Sequence, residues 1–295
     1  MIDSVRSEEE KVILLDSGGF MPLESAHDRD GAWNRELVAK IGIEAMGAMQ
    51  YDAIGLGGDD FSLGTEFLMK VASEAGISFV TTNLVRRDGM RPFGNGYAVV
   101  KAGDARVGVL SILPLGAFEG ISDKHLVEGL EIVDPKTAIE AVLPELREKT
   151  DVVVLLSQYD LEKTRLLVGG LDGIDLSICS GDKDSRGGCG KKLAKAESNE
   201  PFIKTSYGGG QVGYTHLEFN PNRLAVVSRT RMIPLDGSIP DDEKIVAITG
   251  TDMKDKLEEK RQKEQMRRIK ELHKLSPAEY MELLKKQSAS GGEKQ

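Results

Sequence analysis

The most constraining stretch of this sequence is residues 51–64, where a short apolar run ends in two glycines and two aspartates. The apolar residues 53–56 predict a buried strand, and residues 65–75 predict the helix that follows it. Further apolar runs at residues 11–16 and 151–158 also end in polar loops. Ligands usually bind in loops that leave the carboxyl ends of strands in an α/β sheet. The sequence therefore predicts an α/β fold with a site at these loops.

Periodicity and breaker residues predict the other elements. Amphipathic spacing predicts a helix over residues 34–50, and residues 135–149 predict a second helix that Pro144 is expected to kink or end early. Residues 77–83 predict a strand, and residues 97–113 predict a hairpin. The remaining predicted elements are a helix over residues 161–168 and strands over residues 174–179, 201–206, 211–219 and 223–235.

Residues 51–64 resemble a segment of the calcineurin-like metallophosphoesterases, and of their 5′-nucleotidase branch in particular. That family reads Tyr-Asp-Ala, a few apolar residues, Gly-Asn-His-Glu-Phe and a later Gly. The matching residues are Tyr51, Asp52, Ala53, Gly57, Phe61 and Gly64. The resemblance runs from about residue 11 to residue 235 and implies a four-layer α/β/β/α sandwich of two mixed sheets. The family's first-strand Asp-x-His motif has no counterpart before residue 11, so either the chain is shortened or that strand is absent.

The same resemblance implies that most metal ligands are substituted. The family's Asn and catalytic His fall at Gly58 and Asp59. Its bridging Asp falls at Gly19, in a loop that resembles the family's Leu-Leu-Asp-x-Gly-Asp, and its strand-end His falls at Gln158. A two-metal hydrolase needs such ligands on both ions to make hydroxide and to stabilise the leaving oxygen. We therefore expect a vestigial site without a cofactor.

Two aspartates in a later loop complete the comparison. Aligned on Gly181, the family's Gly-His-x-His pair becomes Asp182 and Asp184, although a slip of one residue is equally defensible. The vestigial site thus comprises Gly19, Gly58, Asp59, Gln158, Asp182 and Asp184. In an alternative reading, a divalent metal (Mn²⁺, Mg²⁺ or Ca²⁺) is held through oxygen alone by Asp59, Asp60, Asp182 and Asp184. In the plainer reading, Asp59 and Asp60 cap the following helix and the other two lie in a solvated loop.

The histidines and cysteines add no second motif. The four histidines, which are His27, His125, His216 and His273, fall outside the motifs above and predict surface or supporting roles. Cys179 and Cys189 are read as free thiols, and a disulfide between them remains the alternative in an oxidising compartment. The absence of Cys-x-x-Cys-His excludes attachment of c-type haem.

Charge divides the chain into two predicted parts. The net charge is −9, yet residues 252–295 carry more cations than anions, so residues 1–251 are the more acidic part. We expect a 5′-nucleotidase-like domain over residues 1–251 and a charged helical extension with a disordered end over residues 252–295. An acidic body disfavours nucleic acid as a partner. No apolar run is long enough to predict a membrane span.

Three functions remain open on the sequence alone. The first is a degenerate, noncatalytic 5′-nucleotidase-like domain that binds a ligand, such as a nucleotide or phosphoester, or a partner. The second is a metal-dependent phosphoesterase with an altered site. The third is a structural or docking subunit of an exported assembly that binds a protein through residues 252–295. As the sequence stands the chain is expected in the cytoplasm, and in the periplasm or outside the cell if a leader has been removed.

Overall fold

The computed structural model describes residues 1–9, 11–21, 32–180, 201–205, 210–219 and 225–250, together with residues 259, 262, 263, 266, 267 and 270. The chain divides into two compact units, Met1–Ile245 and Val246–Gln295. The sequence-based division into residues 1–251 and 252–295 is kept as a proposal about folding domains.

The described helices include those predicted from the sequence, with similar bounds. They are α1 (Ile2–Glu8), α2 (Ala32–Ala48), α3 (Thr65–Glu74), α4 (Pro135–Lys149), α5 (Leu161–Val168) and α6 (Glu243–Thr249), with short 3₁₀ helices at Gly58–Phe61 and Lys124–Val127. Asp134 caps α4 by accepting the Thr137 N–H at 2.8 Å. The helix continues through Pro144 to Lys149, so its predicted bounds are confirmed, and of the two alternatives at that proline the early end is wrong.

The described strands form a five-stranded sheet and three smaller sheets. The strands are β1 (Leu15–Asp16), β2 (Ala53–Ile54), β3 (Leu84–Arg86), β4 (Arg91–Pro92), β5 (Ala98–Ala102), β6 (Ala105–Ile112), β7 (Leu130–Ile132), β8 (Val152–Ser157), β9 (Leu176–Cys179), β10 (Phe202–Lys204), β11 (Gln211–Phe219) and β12 (Ala225–Pro234). The large sheet has the order β10-β9-β8-β6-β5, in which only β5 and β6 pair antiparallel. The three smaller sheets are the parallel pair β1 and β2, the antiparallel pair β11 and β12, and the three-stranded sheet β4-β3-β7.

Alternation along β8 shows how the layers stack. Successive side chains of a strand point to opposite faces of its sheet. Val154 packs in one hydrophobic cluster with Leu15 of β1 and Ala53 of β2. Its neighbour Leu155 packs in another cluster with Ile139 of α4. The five-stranded sheet is therefore buried on both faces, between the β1–β2 sheet and a layer of helices.

Helices also cover the outer face of the β1–β2 sheet. Ile54 of β2 packs with Ile43 of α2 and Leu68 of α3, and all three are almost fully buried. On the other side of the molecule, α4 packs on β6 and β8, and α5 packs on β9 and β10. The layer order is thus helix, sheet, sheet, helix, and the expected mixed α/β fold is confirmed.

One predicted strand and one predicted strand pairing differ in the structure. Residues 77–83 do not form a ladder and make only isolated bridges at Phe79 and Val80. The buried Asn83 amide instead accepts the Leu113 N–H at 2.8 Å and donates to the carbonyls of Leu113 and Val133. The backbone groups of Val80, Thr81, Thr82 and Asn83 bond to four different residues, Ile54, Asn95, Ser111 and Val133, so no continuous ladder with one strand forms. In addition, β10 pairs in parallel with β9 and β11 pairs with β12, so the described strands β10 and β11 do not form the predicted hairpin with each other.

The second unit is described at few positions. The described residues between 259 and 270 are helical, as the charged pattern predicts, and Met266 among them is 55% exposed. None of the helices in the described part of the chain combines the length and the apolar character needed to cross a lipid bilayer. Binding of a protein partner through residues 252–295 stays a prediction, and so does the location of the chain.

Candidate functional site

The carboxyl ends of three strands meet at one point of the first unit. Gly19 follows β1, Gly57 follows β2, and Gln158 follows β8. A Cβ atom built on Gly57 would lie 3.0 Å from both the Gln158 Oε1 and the Gly19 N. The Gln158 Nε2 donates to the Ser17 carbonyl at 2.5 Å, which joins β8 to the loop after β1. The structure thus brings together Gly19, Gln158 and the Gly57–Asp60 loop, which carries Gly58 and Asp59.

Asp60 holds this meeting point together. Its side chain is fully buried, and its Oδ2 accepts the N–H groups of Gly19 and Gly57, each at 2.7 Å. Its Oδ1 accepts the Met21 N–H at 2.9 Å. One carboxylate therefore satisfies three backbone donors from two loops. Its bond to the Gly57 N–H caps the 3₁₀ helix Gly58–Phe61, whereas neither sequence reading of Asp60 predicted its bonds to the loop after β1.

Burial sets the protonation of the acidic groups here. Burial raises the pKa of Asp60 to about 7, against the opposing effect of the three N–H groups, and the nearby Asp16 carboxylate raises it further. Burial also raises the pKa of Asp16, which accepts the Gly18 N–H at 2.7 Å. Tyr51 is raised to a pKa of about 12 by burial and by the charge of Asp16. Burial therefore favours the neutral forms of Asp16, Tyr51 and Asp60.

The raised pKa of Asp60 makes stability depend on pH. Between its unfolded pKa near 4 and its folded pKa of about 7, the folded chain binds more protons than the unfolded chain. The stabilisation that folding gains from protonated Asp60 is complete below the unfolded pKa and is lost as the pH rises through 7. Between pH 5 and pH 7.5, we expect the unfolding free energy of the wild type to fall by about 2 kcal/mol more than that of Asp60→Asn.

Urea unfolding of both proteins across this pH range measures the difference. The Asn variant lacks the titrating group, so the comparison removes contributions from all other acids that the two proteins share. Parallel pH profiles for the two proteins would show that Asp60 does not titrate in this range.

The backbone at two vestigial positions does not fit a two-metal centre. Gly19 has a φ of +83°, a conformation that an aspartate adopts only with strain. At Gly58, a Cβ atom would lie 2.0 Å from the Ala117 carbonyl oxygen. The loop that carries Ala117 thus occupies the space that an asparagine ligand would need.

The polar side chains at the crevice are already engaged by the protein. Both Asp60 oxygens accept backbone N–H groups, and the Gln158 amide donates to a backbone carbonyl. Across the residues that the structure describes, no group of three or more His, Cys, Asp or Glu side chains is placed to hold a metal ion. Asp182 and Asp184 lie outside those residues, so the four-aspartate site stays untested. The described residues do not fit the metal centre that the fold family implies.

A cleft of about 1170 Å³ opens beside this crevice. Its apolar lining is half-buried at Leu15 of β1, Ile178 of β9 and Leu217 of β11, and its polar lining lies near the strand ends. The polar lining includes Asp16, Asp59, Gln158, Asp160 and Lys163. Its position matches the strand-end loops that the sequence predicts for a site. Neither of the two described histidines, His125 and His216, lines it, whereas His27 and His273 lie outside the described residues.

Curated relatives give weak sequence matches. The chain is 24% identical over 267 residues to human 5′-nucleotidase, covering 83% of this chain and 44% of the relative. It is 23% identical over 169 residues to the 2′,3′-cyclic-nucleotide 2′-phosphodiesterase/3′-nucleotidase of Haemophilus influenzae. That second match covers 53% of this chain and 25% of the relative. The chain spans less than half the length of these relatives, and no protein-family model matches it.

Solved structures show the fold. The calcineurin-like phosphoesterase YfkN of Bacillus subtilis aligns with a TM-score of 0.66 at 17% identity, covering 88% of each chain. The sulfate thiohydrolase SoxB of Thermus thermophilus aligns with a TM-score of 0.67 at 16% identity, covering 84% of this chain and 43% of that one. At these identities the likeness establishes the architecture and leaves the chemistry to the residues themselves.

Proposed function

Since the chain has the calcineurin-like phosphoesterase fold and is similar in sequence to 5′-nucleotidases, we propose that it is a noncatalytic 5′-nucleotidase-like domain that binds a ligand or partner. In this reading the strand-end architecture is retained, and the groups that would carry out hydrolysis are replaced. Binding in a cleft needs the retained architecture alone, whereas hydrolysis also needs the metal ligands.

The observation that carries this proposal is the contact between Gly58 and the Ala117 carbonyl. A missing ligand alone could be supplied by a neighbouring residue or another chain. Here the 2.0 Å approach of the Ala117 carbonyl to a Cβ at position 58 means that protein backbone fills the ligand's place. Main chain moves less readily than the end of a flexible side chain. Position 58 therefore lacks a metal-ligating side chain and also has no space for one.

The retained function is binding in the open cleft. At about 1170 Å³ it is at least as large as typical small-molecule pockets, which measure about 300–1,000 Å³. It lies at the carboxyl ends of the strands, where ligands bind in open α/β sheets. The competing function, a phosphoesterase with an altered site, would require a metal centre that the described residues do not supply.

Turnover assays on the full chain separate the two functions. We expect hydrolysis of AMP and of bis(p-nitrophenyl) phosphate with Mn²⁺, Mg²⁺ or Ca²⁺ to match the rate of the ion without protein. The proposal is wrong if Mn²⁺ supports turnover that Asp59→Ala abolishes and that Asp172→Ala, an exposed control, retains.

A further inference from the structure

Strand β1 has one paired edge and one unpaired edge. Its ladder neighbour among the described strands is β2 alone. The carbonyls of Leu14 and Asp16 both accept N–H groups from the segment 52–55 that contains β2, so these two residues face β2. The backbone groups of successive strand residues point to opposite edges of the strand. Within the described part of the chain, the residues whose backbone groups point away from β2 and make no hydrogen bond are Ile13 and Leu15.

Strand β11 is unpaired along one edge in the same way. Its ladder neighbour among the described strands is β12 alone. The Leu235 N–H donates to the Gly210 carbonyl at 2.9 Å, and these two residues lie opposite each other in the register of the ladder. Hydrogen-bonded pairs and non-hydrogen-bonded pairs alternate along an antiparallel ladder, so every second residue after Gly210 turns its backbone groups away from β12. These outward-facing residues of β11 are Gln211, Gly213 and Thr215.

Both unpaired edges lie at the cleft, because all five outward-facing residues belong to its lining. An unpaired strand edge is a template for pairing with a further strand. In the binding mode called β-augmentation, an extended peptide adds a strand to such an edge, and hydrogen bonds between the main chains supply much of the affinity. This cleft offers two unpaired edges to one peptide.

The side chains beside the two edges are apolar and incompletely covered. Leu15 of β1 and Val212 and Leu217 of β11 line the cleft, and each is only half-buried. A strand that packs against them removes apolar surface from water, which is worth about 25 cal/mol per Å². Valine, isoleucine and threonine fit such a half-buried, pleated surface well. The edges therefore favour an extended segment with apolar and β-branched side chains.

From these two edges we propose that the cleft takes an extended strand of a partner polypeptide. The strand pairs with β1 along one edge and with β11 along the other, so that the β1–β2 and β11–β12 sheets become one continuous sheet. Its ends carry basic residues, because the chain that receives it has a net charge of −9 and attracts cations. This inference rests on the proposed binding function and names the kind of partner.

Three peptides of seven residues with blocked ends test the mode of binding. The first is Lys-Val-Thr-Val-Thr-Val-Lys, the second is the same peptide with N-methyl groups on its three valines, and the third has glutamate in place of both lysines. Each is titrated into the full chain at low salt and followed by NMR. We expect the first to bind at least tenfold more tightly than the second, which keeps the side chains and lacks the backbone donors. We expect it to bind at least threefold more tightly than the third.

Hydrogen exchange of the backbone amides locates the bound peptide. The first peptide should slow exchange at Leu15, Gly213 and Thr215 at least tenfold. The amide of Val99, in the exposed edge strand β5 of the large sheet, is the control and should exchange at an unchanged rate. Equal slowing at Val99 would show that the peptide pairs with any exposed edge, which overturns the inference. So would no slowing at the three cleft positions, or equal binding of either altered peptide.

A matched pair of variants tests the edge of β11. Gly213→Pro removes one outward-facing N–H and should weaken binding of the first peptide about tenfold or more. Gly237→Pro makes the same change in an exposed turn, where no atom lies within 4 Å of a Cβ, and should bind with the affinity of the wild type. Equal affinities of the two variants would overturn the inference.

The N-methylated peptide and hydrogen exchange decide the matter on their own if Gly213→Pro does not fold. Failure of the peptide tests leaves the absence of turnover unaffected. Metal-dependent turnover, by contrast, would remove the proposed function whatever the peptides do.

Discussion

Asp60→Ala is expected to destabilise the first unit by at least about 3 kcal/mol. The substitution removes the acceptor of three backbone N–H groups, those of Gly19, Met21 and Gly57. A buried donor that loses its partner costs about 1–3 kcal/mol, and these costs add only in part. Removal of a buried charge offsets some of the loss above pH 7. In a protein of this size the change corresponds to a drop in melting temperature of about 6–12 °C.

Chemical unfolding followed by circular dichroism measures this change. Asp172→Ala, at an exposed position, serves as the control and should unfold within about 0.5 kcal/mol of wild type. An Asp60→Ala variant as stable as that control would mean that the three N–H groups find other partners. The bracing role assigned to Asp60 would then be wrong.

Gly58→Asn is expected to cost about 3 kcal/mol and to restore no metal binding. The new Cβ would lie 2.0 Å from the Ala117 carbonyl oxygen and 2.8 Å from its carbon, so main chain has to move. Overpacking of a filled site costs about 1–3 kcal/mol, and the upper end applies because the obstacle is backbone. The family's residue is thus expected to harm this chain at the position where the family uses it.

Gly42→Ala provides a matched control for a substituted glycine. No atom lies within 4 Å of a Cβ at Gly42, which is exposed inside α2. Alanine in a helix interior is more favourable than glycine by about 0.5–1 kcal/mol, so this variant should gain stability. Thermal melting compares the two variants directly. A Gly58→Asn variant that has the melting temperature of the wild type and binds Mn²⁺ would show that the Ala117 loop moves at little energetic cost.

Elements with a strong local signal were predictable from the sequence. The helix predicted over residues 161–168 matches α5, and the hairpin predicted over residues 97–113 matches β5 and β6. In both segments the hydrophobic residues recur with a regular period, and turn-forming or capping residues mark the ends. The strand predicted over residues 77–83 does not form a ladder, because the backbone groups of residues 79–83 bond to separate segments, which no local pattern in the sequence encodes. The short helix α1 was not predicted, since it has no buried face that a pattern could reveal.

The sequence predicted where the candidate site lies, but it predicted the roles and contacts of only some of its residues. Strand-end loops containing Gly19, Gly58 and Gln158 can be found from apolar runs followed by glycines and polar residues. Nothing in the sequence distinguishes Asp59 from its neighbour, yet Asp60 alone is fully buried and binds three amides. The approach of Ala117 to Gly58 is a contact between distant segments, which a single sequence does not encode in any local pattern.

Metal content is the most direct test of the central claim, that protein groups occupy the places of the metal ligands. The full chain is dialysed against Mn²⁺, freed of loosely bound ions and analysed for metal, with Asp59→Ala treated in parallel. We expect far less than one Mn²⁺ per chain in both proteins. About two Mn²⁺ per wild-type chain, with fewer in Asp59→Ala, would contradict the account, because a two-metal centre would then exist at the strand ends.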